Sequence, residues 1–147
     1  MNEQRLPRPA MSYAGDVDST DAYVTLQAEN DAVLVDVRTR AEWSYVGLPD
    51  LSQIGRRVIF LEWQRFPDAS VNEDFVEQLR EAGVAEGAPV YFLCRSGARS
   101  AAAAKAVTAA GLGPAYNVAD GFEGPLGDDG HRDVAGWKAA GLPWRQG

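Results

Sequence analysis

The sequence predicts an α/β fold: a central, mainly parallel sheet with helices on both faces. Two observations predict it. Short apolar runs alternate with helix-forming stretches of about 10 residues, an order that implies parallel pairing through crossover helices. Helix start and stop signals fall between the runs. The chain has 147 residues, the usual size of one domain.

Residues 1–16 are mostly polar and carry two prolines. They are expected to be a loose tail before a single domain over 17–147. Residues 19–29, STDAYVTLQAE, suit a helix capped near Ser19 or Thr20. AVLVDV at 32–37 is a continuous apolar run, as in a strand buried on both faces. Thr39 and Glu42 have capping-box spacing, so a helix is expected at once. RVIFL at 57–61 is the second strand. Ser70 and Glu73 repeat the capping spacing, Phe75, Val76 and Leu79 follow at helical spacing, and Gly83 ends the helix. PVYFLC is the third strand, RSAAAAKAVTAAG a helix ended by Gly111, and AYNVAD the fourth strand. VAGWKAAGLPW is read as a closing helix.

Composition narrows the function. Apolar residues make up 46% and charged residues 24%, as in a globular protein. A net charge of -7 argues against nucleic acid or an anionic membrane as partner, since both require a cationic face. No apolar stretch approaches the roughly 20 residues of a membrane span, and the first residues lack the apolar core of a secretory signal. A single cysteine forms no internal disulfide, which suits a reducing compartment, so a cytoplasmic location is expected.

That cysteine, Cys94, stands at the seam between strand and helix in VYFLCRSGARSAAAAKAV. Sites in open α/β sheets gather at the carboxyl ends of the strands. The next helix, expected from Arg99 or Ser100, turns its free N–H groups and partial positive charge back toward the loop. Gly97 lets the loop curl so that several amides face one centre. Arg95 and Arg99 add cations. Each factor favours thiolate over thiol, and the same cradle suits an anionic substrate. A buried structural cysteine is the plainer role for a lone thiol, but it needs neither two arginines nor a glycine behind it.

CRSGARS resembles the active-site loop of rhodanese-like sulfurtransferases. VLVDVRTRAEW resembles the family's early Asp-Val-Arg element, NVADGFEG the strand and glycine turn after the active-site helix, and GWKAAGLPW its usual ending. The resemblance runs from about residue 17 to 145. It implies a three-layer rhodanese-like fold and sulfur transfer through a Cys94 persulfide. The loop Arg95, Ser96, Gly97, Ala98, Arg99 and Ser100 would hold the persulfide and a small anionic donor such as thiosulfate. A thiol, or cyanide in an assay, would be the acceptor. No cofactor or metal is implied. Four residues separate Cys94 from Arg99; cysteine-dependent phosphatases have one more, which widens the cradle for phosphate. A phosphatase or arsenate reductase is therefore the lesser alternative, beside a non-catalytic binding module of the same fold. The family's thiosulfate enzymes place a lysine where Ser96 stands, and its mercaptopyruvate enzymes a glycine where Arg95 stands.

Other candidates have simpler roles. Asp36 and Arg38, at the end of the first strand, are candidates for the pocket; pairing with each other or with backbone is the plainer role. Glu42 reads as a helix cap. Trp63 and Phe66, after the second strand, are candidates for the pocket wall, and Phe122 is a similar case. His131 in GDDGHRD reads as a solvated loop residue rather than a catalytic base, and the aspartates around it lack the spacing of a calcium loop. EGPLGDDGHRDV, 123–134, lengthens the approach to the last segment.

Overall fold

The computed structural model describes residues 13–65 and 68–146. Five strands form one parallel sheet: β1 (Gly15–Val17), β2 (Val33–Asp36), β4 (Val58–Phe60), β5 (Val90–Leu93) and β6 (Ala115–Val118). Their order across the sheet is β1-β6-β5-β2-β4. The longer helices are α1 (Ser19–Ala28), α3 (Phe75–Glu81) and α4 (Ala98–Ala109), with a short α2 (Arg40–Tyr45) after β2.

Alternation along the strands makes three layers. Val35 and Val37 with Phe92 and Cys94 face Phe75, Leu79, Ala103 and Val107, the core beneath α3 and α4. Leu34, Tyr91 and Leu93 face the other way, onto Ala22 and Leu26 of α1 and onto Phe122 and Trp137. The two central strands are thus apolar on both faces, which is why they read as unbroken runs. The small side chains of α4 bring that helix close against the sheet: Ala103 and Ala104 are fully buried.

The expected α/β order holds, with four corrections. Part of the supposed tail is a strand: Gly15, Asp16 and Val17 pair in parallel with Tyr116, Asn117 and Val118. The rest of that tail, up to residue 12, lies outside the described residues. The cap of α1 is Asp18, whose carboxylate accepts from the Asp21 amide; Ser19 instead gives its amide and hydroxyl to Asp120, at 2.9 and 2.7 Å.

The third correction concerns α3. Ser70 makes no capping box, because its hydroxyl bonds Asp68 and its carbonyl accepts from the Arg65 amide. The helix starts at Phe75. The fourth is the closing segment, which makes turns and no helix. Gly136 sits at φ +108, and a side chain there would press within 2.8 Å of the Gly124 amide. Trp137 is fully buried and donates its indole N–H to the Pro143 carbonyl. The chain then ends in β7 (Trp144–Arg145), which pairs antiparallel with β3 (Leu48–Pro49).

Candidate active site

Cys94 follows β5 directly, and α4 begins four residues later. The loop between them is folded by its own composition. Gly97 caps the helix at φ +107, and a Cβ there would overlap the carbonyl oxygen of Ala119. Only glycine meets both demands. The 121–124 turn clamps the loop from the far side: the Phe122 amide donates to the Cys94 carbonyl at 2.8 Å, and the Glu123 and Gly124 amides donate to the Arg95 carbonyl.

Main-chain donors converge on the sulfur. The Gly97 amide lies 3.1 Å and the Ser100 amide 3.4 Å from Sγ, with the Ser100 hydroxyl at 3.2 Å. The amides of Ala98 and Arg99 belong to the first turn of α4, where no intrahelical acceptor exists. Cys94 itself is 1% exposed. Arg95 and Ala98 are exposed on the loop, Ser96 and Arg99 are half-buried, and Ser100 is buried.

A cavity of about 440 Å³ opens beside this loop, its charged lining Glu42, Arg65, Arg95, Arg99 and Glu123. The two loop arginines differ in their freedom. Arg99 grips the Glu42 carboxylate with two bonds, at 2.6 and 2.9 Å. Glu42 also completes the expected capping box with Thr39. Burial alone would raise the Glu42 pKa, but Arg99 and the Thr39 amide and hydroxyl hold it down at about 2. The Arg99 guanidinium is pushed up in turn by Glu42, burial opposing, with smaller attractions to Cys94 and Asp36. Arg99 is therefore a charged guanidinium paired with a carboxylate and not a free cation.

The remaining predicted pocket residues lie elsewhere. Asp36 and Arg38 are both fully buried and joined by a 2.7 Å ion pair. Arg38 also donates to the Gly47 carbonyl and lies 4.2 Å over the Phe122 ring. They brace the end of β2 and are absent from the cavity lining. Trp63 packs edge-on against Phe75, 5.2 Å between centroids, on the α3 side of the core. Phe66 lies outside the described residues. His131 is exposed, as expected.

Two features of the site went unread in the sequence. One is the second duty of Glu42, at a separation of 57 residues from Arg99. The other is Asn117, whose Oδ1 accepts the Ser100 hydroxyl at 2.5 Å. Its signal was available: a polar residue inside the apolar run AYNVAD.

The profile of a family described as the STR4 middle domain matches residues 14–147. The chain belongs to that family. An uncharacterized protein of Rickettsia conorii is 44% identical over 128 residues, covering 86% of this chain and 94% of that protein. Rhodanese-like domain-containing protein 4, chloroplastic, of Arabidopsis thaliana is 26% identical over 124 residues, 84% of this chain but 24% of that protein. The crystal structure of Rv0390 from M. tuberculosis is 52% identical, with a TM-score of 0.84 over 92% of this chain and 99% of that one. The polysulfide-sulfur transferase homodimer of Wolinella succinogenes is 25% identical, with a TM-score of 0.62 over 94% and 82%. The fold is rhodanese-like. Among the described residues no helix is long and apolar enough to cross a membrane.

Proposed function

We propose that the chain is a sulfurtransferase that works through a Cys94 persulfide. The observation that carries the reading is the cysteine sulfur at a helix N-terminus with the Gly97 and Ser100 amides converging on it. Such donors stabilise an anionic sulfur and not a neutral thiol.

In the first half-reaction the Cys94 thiolate attacks the outer sulfur of thiosulfate. The Sγ–S bond forms, the bond to the sulfonate sulfur breaks, and sulfite leaves with the electron pair. In the second, an acceptor nucleophile attacks the outer sulfur and Cys94 departs as thiolate. No external oxidant or reductant enters, and the kinetics are ping-pong. Arg95, exposed on the cavity rim, meets the donor's anionic end. The depth of Cys94 favours a slim donor that ends in one sulfur atom. Polysulfide fits that description, and the similar Wolinella protein is a polysulfide-sulfur transferase.

Intact mass after incubation with thiosulfate, and separately with polysulfide, tests the reading. The expected result is a gain of one sulfur atom, removed by cyanide and absent in Cys94→Ser. An unchanged mass of folded protein with both donors overturns it and leaves a binding module of the same fold.

A further inference from the structure

A chain of side-chain hydrogen bonds runs from Cys94 to the edge of the sheet. Ser100 Oγ lies 3.2 Å from Cys94 Sγ and 2.5 Å from Asn117 Oδ1. Asn117 Nδ2 donates to Asp16 Oδ1 at 3.0 Å, and that same oxygen accepts from the Tyr13 hydroxyl at 2.8 Å. Ser100 and Asn117 are buried, at 0% and 4% exposure, whereas Asp16 is exposed on β1.

The direction of each bond is fixed by proton counting. An ionised carboxylate only accepts, so Asp16 requires the amide nitrogen of Asn117 to face it. That leaves Asn117 Oδ1 facing Ser100, and an amide oxygen also only accepts. The single hydroxyl hydrogen of Ser100 is therefore spent on Asn117. What Ser100 offers to Sγ is a lone pair. A lone pair welcomes the S–H of a thiol and repels a thiolate.

We propose that Asp16 and Asn117 hold the Ser100 hydroxyl turned away from Cys94, making Ser100 a brake on the thiolate set from the edge strand β1. The inference deepens the sulfur-transfer reading and rests on it for its role in the reaction. The bond directions themselves do not depend on that reading. Turning the hydroxyl toward sulfur would convert the brake into a third donor beside the two amides. Asp16, Asn117 and Ser100 are positioning residues in this scheme, acting on the nucleophile and not on the substrate.

Other charges act on Cys94 as well. Arg99 attracts it from α4, with Glu42 of α2 bonded to Arg99. Asp36 and Arg38 form a closed ion pair at the end of β2, the neighbouring strand. Arg95, the residue after Cys94, is the exposed loop cation. Asp16 is the one charge on β1 that the hydrogen-bond chain links to the sulfur. Asn117→Leu leaves all of these charges in place, and the Ser100→Ala background separates the loss of the Asp16 charge from the turn of the hydroxyl.

The test is the pH profile of Cys94 alkylation by iodoacetamide, followed by intact mass, which needs no sulfur donor. Asn117→Leu removes the acceptor and frees the Ser100 hydroxyl for sulfur. The expected result is a profile midpoint lower by about one pH unit, or about tenfold faster alkylation below the midpoint, the size of one hydrogen bond to a charged group. Asp16→Ala, at an exposed position, lets the Asn117 amide turn and is expected to move the midpoint the same way, by less. In a Ser100→Ala background neither change moves it. A midpoint that stays or rises in both Asn117→Leu and Asp16→Ala overturns the proposal. So does a fall of the same size when Ser100 is already alanine. Failure of sulfur loading with the expected profiles would sink the sulfur-transfer reading and leave the brake standing.

Discussion

Glu42→Gln removes one charge and little else. Glutamine still serves at the third position of a capping box, so the start of α2 is kept. What is lost is the anion that Arg99 grips with two bonds. The magnitude follows from the displaced ionisation. A fall from 4.5 to about 2 corresponds to about 3 kcal/mol at 1.36 kcal/mol per pH unit. The two side chains are 19% and 21% exposed, and solvent screening reduces this to about 1–2 kcal/mol. The folded-state pKa lies below the unfolded one, so the contribution is complete above about pH 4.5 and is lost as the pH falls toward 2. Urea unfolding of both proteins at pH 7 and at pH 2.5 measures it. The expected gap is about 1–2 kcal/mol in favour of the wild type at pH 7, mostly closed at pH 2.5. A gap of equal size at both values refutes the argument, as does a variant at least as stable as the wild type at pH 7.

Two further substitutions probe the loop and its brace. Gly97→Ala forces a Cβ into the carbonyl of Ala119 at φ +107; it should cost at least about 1–3 kcal/mol in denaturant unfolding and slow alkylation of Cys94 as the Gly97 amide is displaced. Asp36→Asn leaves Arg38 charged and unpaired in the interior, with an expected loss of about 3–5 kcal/mol in the same unfolding assay. Asp36→Asn with Arg38→Met should recover much of that loss, whereas residues serving the pocket would lose sulfur loading at unchanged stability.

The sheet was legible because its central strands are buried on both faces, so VLVD and VYFL stand out as apolar runs. β1 was not legible. It has three residues, one of them Val17, and its partner β6 lies about a hundred positions away, as the Asp16–Asn117 separation of 101 shows. The segment 134–144 has helical spacing of its apolar residues. Backbone geometry at Gly136 and the pull of Trp137 into the core override it, and Trp144 is taken up by a strand pair with Pro49. The same division applies to the site. The Cys94–Ser100 loop is contiguous, so its composition displays its geometry. The partners that tune it, Glu42 on Arg99 and Asn117 on Ser100, arrive from other elements and leave only weak local marks.

Those partners change how the site handles charge. Two free loop arginines would make a strongly cationic cradle suited to a dianion. In the folded chain Glu42 pairs with Arg99, and Arg95 sits at the exposed rim. The donors left for the sulfur are main-chain amides at the head of α4, which carry partial charges only. A cradle of that strength suits the singly charged thiolate or persulfide proposed at Cys94, and it offers thiosulfate and phosphate, both dianions, the same charge balance. The span from Cys94 to Arg99 does separate them, since its four intervening residues are one fewer than in cysteine-dependent phosphatases. Charge balance and loop size are independent features, one set by a residue on α2 and the other by the length of the loop itself. Of the two, loop size is the one that favours the proposed sulfur chemistry over phosphate chemistry at Cys94.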